Sequence, residues 1–98
     1  MVFDIHEVGG IGEFSEKEEK GRRLFLRGEK VFLVINKNTM EVRTDRQLGK
    51  LLREKYESVM ESRYFGRGGI EIVLSGQLEG EELKDLVRLS YNLSEEES

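Results

Sequence analysis

Glu81-Glu82-Leu83-Lys84-Asp85-Leu86-Val87-Arg88-Leu89-Ser90-Tyr91-Asn92-Leu93-Ser94 is the stretch whose reading decides the fold. Leu83, Leu86, Val87 and Tyr91 recur at helical spacing, which predicts a C-terminal amphipathic helix with those four side chains turned inward. Glu81, Glu82 and Asp85 stand in its first turns, where acidic groups complement the helix dipole. A helix with one apolar stripe needs an apolar partner surface, and the preceding residues must supply it.

Working back toward the N-terminus, Gly76 and Gly80 frame a linker, and Ile70-Glu71-Ile72-Val73-Leu74 alternates as a strand with Ile70, Ile72 and Leu74 on one face. Gly66-Arg67-Gly68-Gly69 reads as a turn, and residues 58–65 as an extended segment that packs through Val59 and Met60. Thr44 and Gln47 have capping-box spacing and open a second helix whose buried stripe is Leu48, Leu51, Leu52 and Tyr56. Gly49 inside that helix costs about 1 kcal/mol relative to Ala, so it predicts a close approach to the sheet. Residues 22–27, 30–35 and 40–43 read as three antiparallel strands. Gly28-Glu29 fits a two-residue hairpin turn, and the continuously apolar 30–35 run fits a central strand.

The first 21 residues carry less pattern. Val2, Phe3, Ile5 and Val8 suit a short strand or an irregular arm, and Gly9-Gly10-Ile11-Gly12 breaks it. Residues 13–20 are mostly charged, with Phe14 as the one large apolar anchor, and read as a short helix or a loop. Residues 95–98 read as a frayed acidic tail. The sum is one domain over 1–98: an α+β two-layer sandwich with a mostly antiparallel five-stranded sheet and both helices on one face.

Composition supports one core and excludes several chemistries. The chain of 98 residues is right for one domain. Ala, Cys, Trp and Pro are absent, so nearly every apolar residue is large, each stabilising by about 1.5–3 kcal/mol when fully buried. Without Cys there is no disulfide, thiolate chemistry or Cys-based zinc site. The N-terminus is charged too early for a signal peptide and no run is long enough to span a membrane, which predicts a cytoplasmic chain without membrane partners. The high charge with few Asn and Gln is compatible with a thermophile.

No catalytic constellation is present, and the chain reads as a non-enzyme without cofactor or metal. His6 is the only His, and the serines have no base at motif spacing. Residues 9–12 lack the strand–Gly–helix context and Lys of a phosphate loop. The charge pattern is more informative. Between Arg22 and Arg67 lie twelve Lys/Arg against six Asp/Glu, net +6; the flanks hold four against fourteen, net −10, which together make −4. The basic part predicts a DNA or RNA partner, contacted through Arg22, Arg23, Arg27 and Lys30 around the first hairpin and Arg63 and Arg67 around the second. Tyr64 and Phe65 are available for stacking on bases. Two readings compete. In one, these cations pair with Glu41, Glu61 and Glu71 while Phe25, Phe32 and Phe65 fill the core. In the other, Leu89 and Leu93, off the main stripe of the last helix, dock a second copy or another protein.

Three segments resemble the MmcQ/YjbR family: Gly28-Glu29-Lys30-Val31-Phe32-Leu33; residues 40–56, with Leu52-Arg53-Glu54-Lys55-Tyr56; and Leu74-Ser75-Gly76-Gln77-Leu78 through Ser90-Tyr91-Asn92-Leu93. The family's N-terminal helix, its Pro at the start of the middle helix and the Trp that opens its strand before the last helix have no counterpart; Asp45-Arg46 stand at the second place and Gly69 or Ile70 at the third. The resemblance implies a two-layer fold similar to secretion chaperones, a double-wing pair of hairpins and a DNA-binding role.

Overall fold

The computed structural model describes residues 3–95. A short 3-10 turn at Ile5–Glu7 precedes β1 (Ser15–Glu19), β2 (Arg22–Arg27), β3 (Lys30–Ile35), β4 (Thr39–Arg43), α1 (Arg46–Lys55), β5 (Val59–Ser62), β6 (Gly66–Val73) and α2 (Gly80–Leu93). The strands form one antiparallel sheet in the order β1-β2-β3-β4-β6-β5. Among the described residues no helix is long and apolar enough to cross a membrane. Val2 of the expected arm, and the expected acidic tail beyond Glu95, lie outside the described residues.

The sheet has six strands where the pattern predicts five. The additional strand is β1, within the segment read as helix or loop and within the expected arm of 1–21. Ser15-Glu16-Lys17-Glu18-Glu19 is exposed at every position, so it has no apolar alternation to read. Its backbone nevertheless pairs with β2, from Ser15 opposite Leu26 to Glu19 opposite Arg22. Charge along an exposed edge is also what discourages pairing with other chains.

Both helices lie against the face that carries Phe25, Leu33, Met40, Val42, Ile70 and Ile72; α2 covers β3 and β4, and α1 covers β5 and β6. Leu83, Val87 and Tyr91 of α2 are buried as predicted, and Leu86 is half-buried. Phe3, Ile5 and Val8 close the same core. In α1 the N-cap is Asp45, whose carboxylate accepts the Leu48 N–H at 2.8 Å, rather than Thr44. Leu51 is 55% exposed, so the expected buried stripe narrows to Leu48, Leu52 and Tyr56, all three half-buried. Gly49 is buried, and a Cβ there would lie 2.9 Å from Thr44 Oγ1 and 3.6 Å from Ile70, the predicted close approach. Met60, expected to pack, is exposed on β5.

A bulge shapes the junction of sheet and α2. Phe25 stands opposite Leu33 but Leu26 opposite Val31, so Phe32 is an extra residue in β3. It turns toward the helices and meets the Tyr91 ring edge-on at 5.0 Å. Pairing of β3 with β4 ends at Leu33 and Val42. Beyond it, the Ser90 hydroxyl of α2 donates to the Phe32 carbonyl and accepts the Arg43 N–H at 2.7 Å. One buried side chain thus completes the ladder where the bulge interrupts it.

Among the described residues no helix covers the other face. Leu24, Val31 and Val34 form a second, smaller cluster there, joined by Leu26 and by Phe65 from the segment between β5 and β6.

Candidate functional site

The site grows from two turns at one end of the sheet. In an antiparallel meander the β1–β2 and β3–β4 turns fall at the same end and the β2–β3 turn at the other. The first turn is Lys20-Gly21, with φ of +54° and +80°. Two positive φ values suit a tight hairpin, for which Asn-Gly or Asp-Gly is the usual pair. Gly21 adopts this freely; Lys20 carries a β-carbon into the left-handed region at a cost of about 1–2 kcal/mol. The second turn is Asn36-Lys37-Asn38, closed by the Asn36 N–H to the Thr39 carbonyl at 2.9 Å.

A third piece comes from residues 63–65, which fold back over the uncovered face. Ser62 Oγ accepts the N–H groups of Tyr64 and Phe65 at 3.1 and 2.8 Å. Arg63 grips Glu71 with two bonds, Nε at 3.0 Å and Nη2 at 2.7 Å. Tyr64 lies beside Arg22, whose guanidinium is 5.1 Å from the ring centre, and is 37% exposed.

Together these residues frame a cleft of roughly 410 Å³ lined by Lys20, Gly21, Arg22, Asn36, Lys37 and Arg63. Among the described residues no carboxylate lies within ion-pair distance of Lys20 or Lys37. Arg22 has Glu19 at 3.7 Å, too long for a hydrogen bond. A second cleft of roughly 430 Å³ shares Gly21, Asn36 and Lys37 and adds apolar wall from Phe3, Ile35 and Leu74.

A polar network underlies the cleft. Glu41 and Glu71 stand directly opposite on β4 and β6, and both are buried. Glu41 accepts from Ser62 Oγ at 2.7 Å, the Tyr64 N–H at 2.8 Å and Asn36 Nδ2 at 2.9 Å. Glu71 accepts from Thr39 Oγ1 at 2.7 Å in addition to Arg63. Burial pushes the Glu71 carboxyl up, but the hydrogen bonds from Arg63 and Thr39, with the charge of Arg63, outweigh it and hold the group below its usual range. Because the folded value is depressed, the stabilisation is complete above the unfolded carboxylate value of about 4.3 and is lost as pH falls through the lower folded value. Glu71→Gln removes that dependence. The Tm gap between wild type and variant is expected to be widest near neutral pH and to close below about pH 4. A gap that stays constant from pH 7 to 2.5 would refute the assignment.

Of the six cations proposed from sequence, the cleft unites Arg22 and Arg63. Arg23, one residue along the strand from Arg22, points to the opposite face, where it bonds Glu16 at 2.7 Å. Arg27 is tied to the end of α2: it donates to the Tyr91 carbonyl at 3.1 Å, covers the Tyr91 ring at 4.4 Å and pairs with Glu95 at 3.3 Å. Lys30 stands opposite Arg27 beside the β2–β3 turn, at the far end of the sheet. Arg67 is exposed near the start of β6, about 20 Å along the strand from Val73, which faces Thr39. Of the cross-strand pairs weighed with Glu41, Glu61 and Glu71, the one with Glu71 forms, through Arg63. Sequence reasoning missed Lys20 and Lys37. The signal for both was the meander itself, which places their turns side by side once β1 is a strand.

The architecture is thus that of an α+β domain with an open six-stranded antiparallel sheet and two helices. Among solved structures it is similar to the crystal structure of Deinococcus radiodurans protein DR2400, a DUF419 domain, with TM-score 0.78, 16% identity, and coverage of 92% of this chain and 74% of that chain. DUF419 has a YjbR/MmcQ-like fold, so the likeness agrees with the fold that the sequence resemblance implies. No protein-family model and no curated protein matches the sequence.

Proposed function

We propose that the chain is a non-enzymatic domain of the MmcQ/YjbR type, acting in the cytoplasm, that holds single-stranded nucleic acid at the Lys20/Arg22/Lys37/Arg63 cleft. The observation that carries this reading is four cations about one cleft with the exposed Tyr64 ring beside them. Cations answer phosphates without regard to sequence, and an exposed aromatic ring stacks on a base for about 1–3 kcal/mol. The rest of the surface favours a small footprint. Net charge is −4, and Arg23 and Arg27 are already engaged with carboxylates, which removes both from any face that would track a duplex.

Titration of labelled single-stranded DNA and RNA at 20 and 200 mM salt tests it. Binding should weaken with salt, with a log–log slope of about −0.7 per phosphate contacted. Lys37→Glu should lower affinity by about ten-fold or more, while Arg67→Glu at the far end should change it little. Absence of binding at low salt, or equal losses in the two variants, would sink the reading.

The rival reading, a protein-interaction module, draws less support. Leu89 and Leu93 are half-buried on α2, and among the described residues the exposed large apolar side chains, Leu51, Met60 and Tyr64, sit on three different segments. A light-scattering mass that rises with concentration would restore it.

A further inference from the structure

We infer that the cleft is built for a phosphomonoester dianion, the terminal phosphate of a nucleotide chain or of a free mononucleotide; the inference rests on the same cleft that the nucleic-acid reading uses. Charge is the first argument. Lys20, Arg22, Lys37 and Arg63 line the cleft, Glu19 and Glu71 answer Arg22 and Arg63, and the buried Glu41 is held by its own hydrogen bonds beneath, which leaves Lys20 and Lys37 without a carboxylate at ion-pair distance among the described residues. A phosphodiester within a strand carries one negative charge. A monoester carries about −1.5 to −2 at neutral pH and presents three acceptor oxygens.

Donor geometry is the second. Arg63 commits Nε and Nη2 to Glu71, which fixes the plane of its guanidinium and leaves Nη1 without a partner among the described residues. Arg22 is held between Glu19 and the Tyr64 ring; its Nε is buried without a partner, so contact with a phosphate falls to its terminal nitrogens. Two planar guanidinium groups suit phosphate oxygens, and Lys20 and Lys37 add compact charges on flexible stems. Tyr64, against Arg22, is placed to stack on the base attached to that phosphate.

The third argument is Lys20 itself. Its φ of +54° is the one left-handed non-glycine conformation among the described residues. Asn at the same place would relieve it. Strain retained at a residue that lines a cleft points to a use for its side chain.

The test compares one eight-nucleotide strand carrying a 5′-phosphate, a 3′-phosphate or neither, by fluorescence anisotropy in low salt at pH 7.5. A mononucleotide and inorganic phosphate are titrated separately by calorimetry. One of the phosphorylated strands should bind about ten-fold or more tightly than the unmodified one. Lys37→Ala and Lys20→Asn should erase that preference, and Lys20→Asn should do so while raising Tm by a few degrees. Equal affinity for all three strands overturns the inference and leaves the strand reading standing. Mononucleotide binding without strand binding upholds the phosphomonoester and sinks the strand. If no probe binds, both fall, and wild-type affinity in the stabilised Lys20→Asn variant also overturns the inference.

Discussion

Ser90→Ala is expected to destabilise the domain by about 2–4 kcal/mol, a fall in Tm of about 10–25 °C for a chain of this size. The substitution removes a single oxygen, yet that oxygen serves two backbone groups. The extra residue at Phe32 takes the Phe32 carbonyl and the Arg43 N–H out of the β3–β4 ladder, and the Ser90 hydroxyl bonds both. Ser90 is fully buried, so water has no ready path to replace it. Two buried main-chain groups left without partners cost about 1–3 kcal/mol each, reduced by whatever local relaxation brings them together. Ser94→Ala is the control. Its hydroxyl bonds the Tyr91 carbonyl, which already accepts from Arg27, so its loss should cost about 1 kcal/mol or less. Urea denaturation with an unchanged m-value measures both, and hydrogen exchange at the Arg43 amide should quicken in Ser90→Ala. A Ser90→Ala value within about 0.5 kcal/mol of wild type would mean that the ladder closes without the hydroxyl.

The same feature shows where sequence reading works and where it stops. Leu83, Val87 and Tyr91 are legible because a helix that buries one face must repeat apolar residues every three or four positions. Ile70 and Ile72 are legible because a half-covered strand must alternate. Ser90 lies on that buried face too, but its role depends on a bulge in a strand 58 residues away, and polarity alone does not reveal it. β1 is illegible for the opposite reason: an edge strand with no buried side chain is held by its backbone, which every sequence supplies. The cleft inherits that gap. Arg22 and Arg63 stand out as cations near turns, whereas Lys20 and Lys37 gain meaning only when β1 brings one turn beside the other. Arg23 and Arg27 look the same as Arg22 in a charge count; strand alternation and the docking of α2 separate them.

Glu41→Ala is expected to cost about 3–4 kcal/mol and to weaken the cleft as well as the fold. Glu41 has no exposed surface and sits on the sheet face that no helix covers. Its carboxylate accepts from Ser62 Oγ, the Tyr64 N–H and Asn36 Nδ2, so it binds the returning segment to the β3–β4 turn. Each bond to a charged acceptor contributes about 1.5–3 kcal/mol. Part is recovered, because Asn36 Nδ2 also reaches Thr39 Oγ1 and the Tyr64 N–H also reaches Ser62 Oγ. Removing one of two carboxylates that face each other across the strands recovers more. Glu41→Gln separates shape from charge. It keeps an oxygen for Ser62 and Tyr64 but turns an N–H toward Asn36, and should lose about 1 kcal/mol. Arg63 and Tyr64 belong to the segment that Glu41 anchors, so Glu41→Ala should also relax the cleft. Exchange at the Tyr64 and Phe65 amides should rise, and affinity for a single strand should fall in parallel with that rise, under conditions where the domain is still folded. If Glu41→Ala keeps full affinity and slow exchange, the segment is held by Phe65 packing and the Arg63–Glu71 pair alone, and Glu41 does not organise the site.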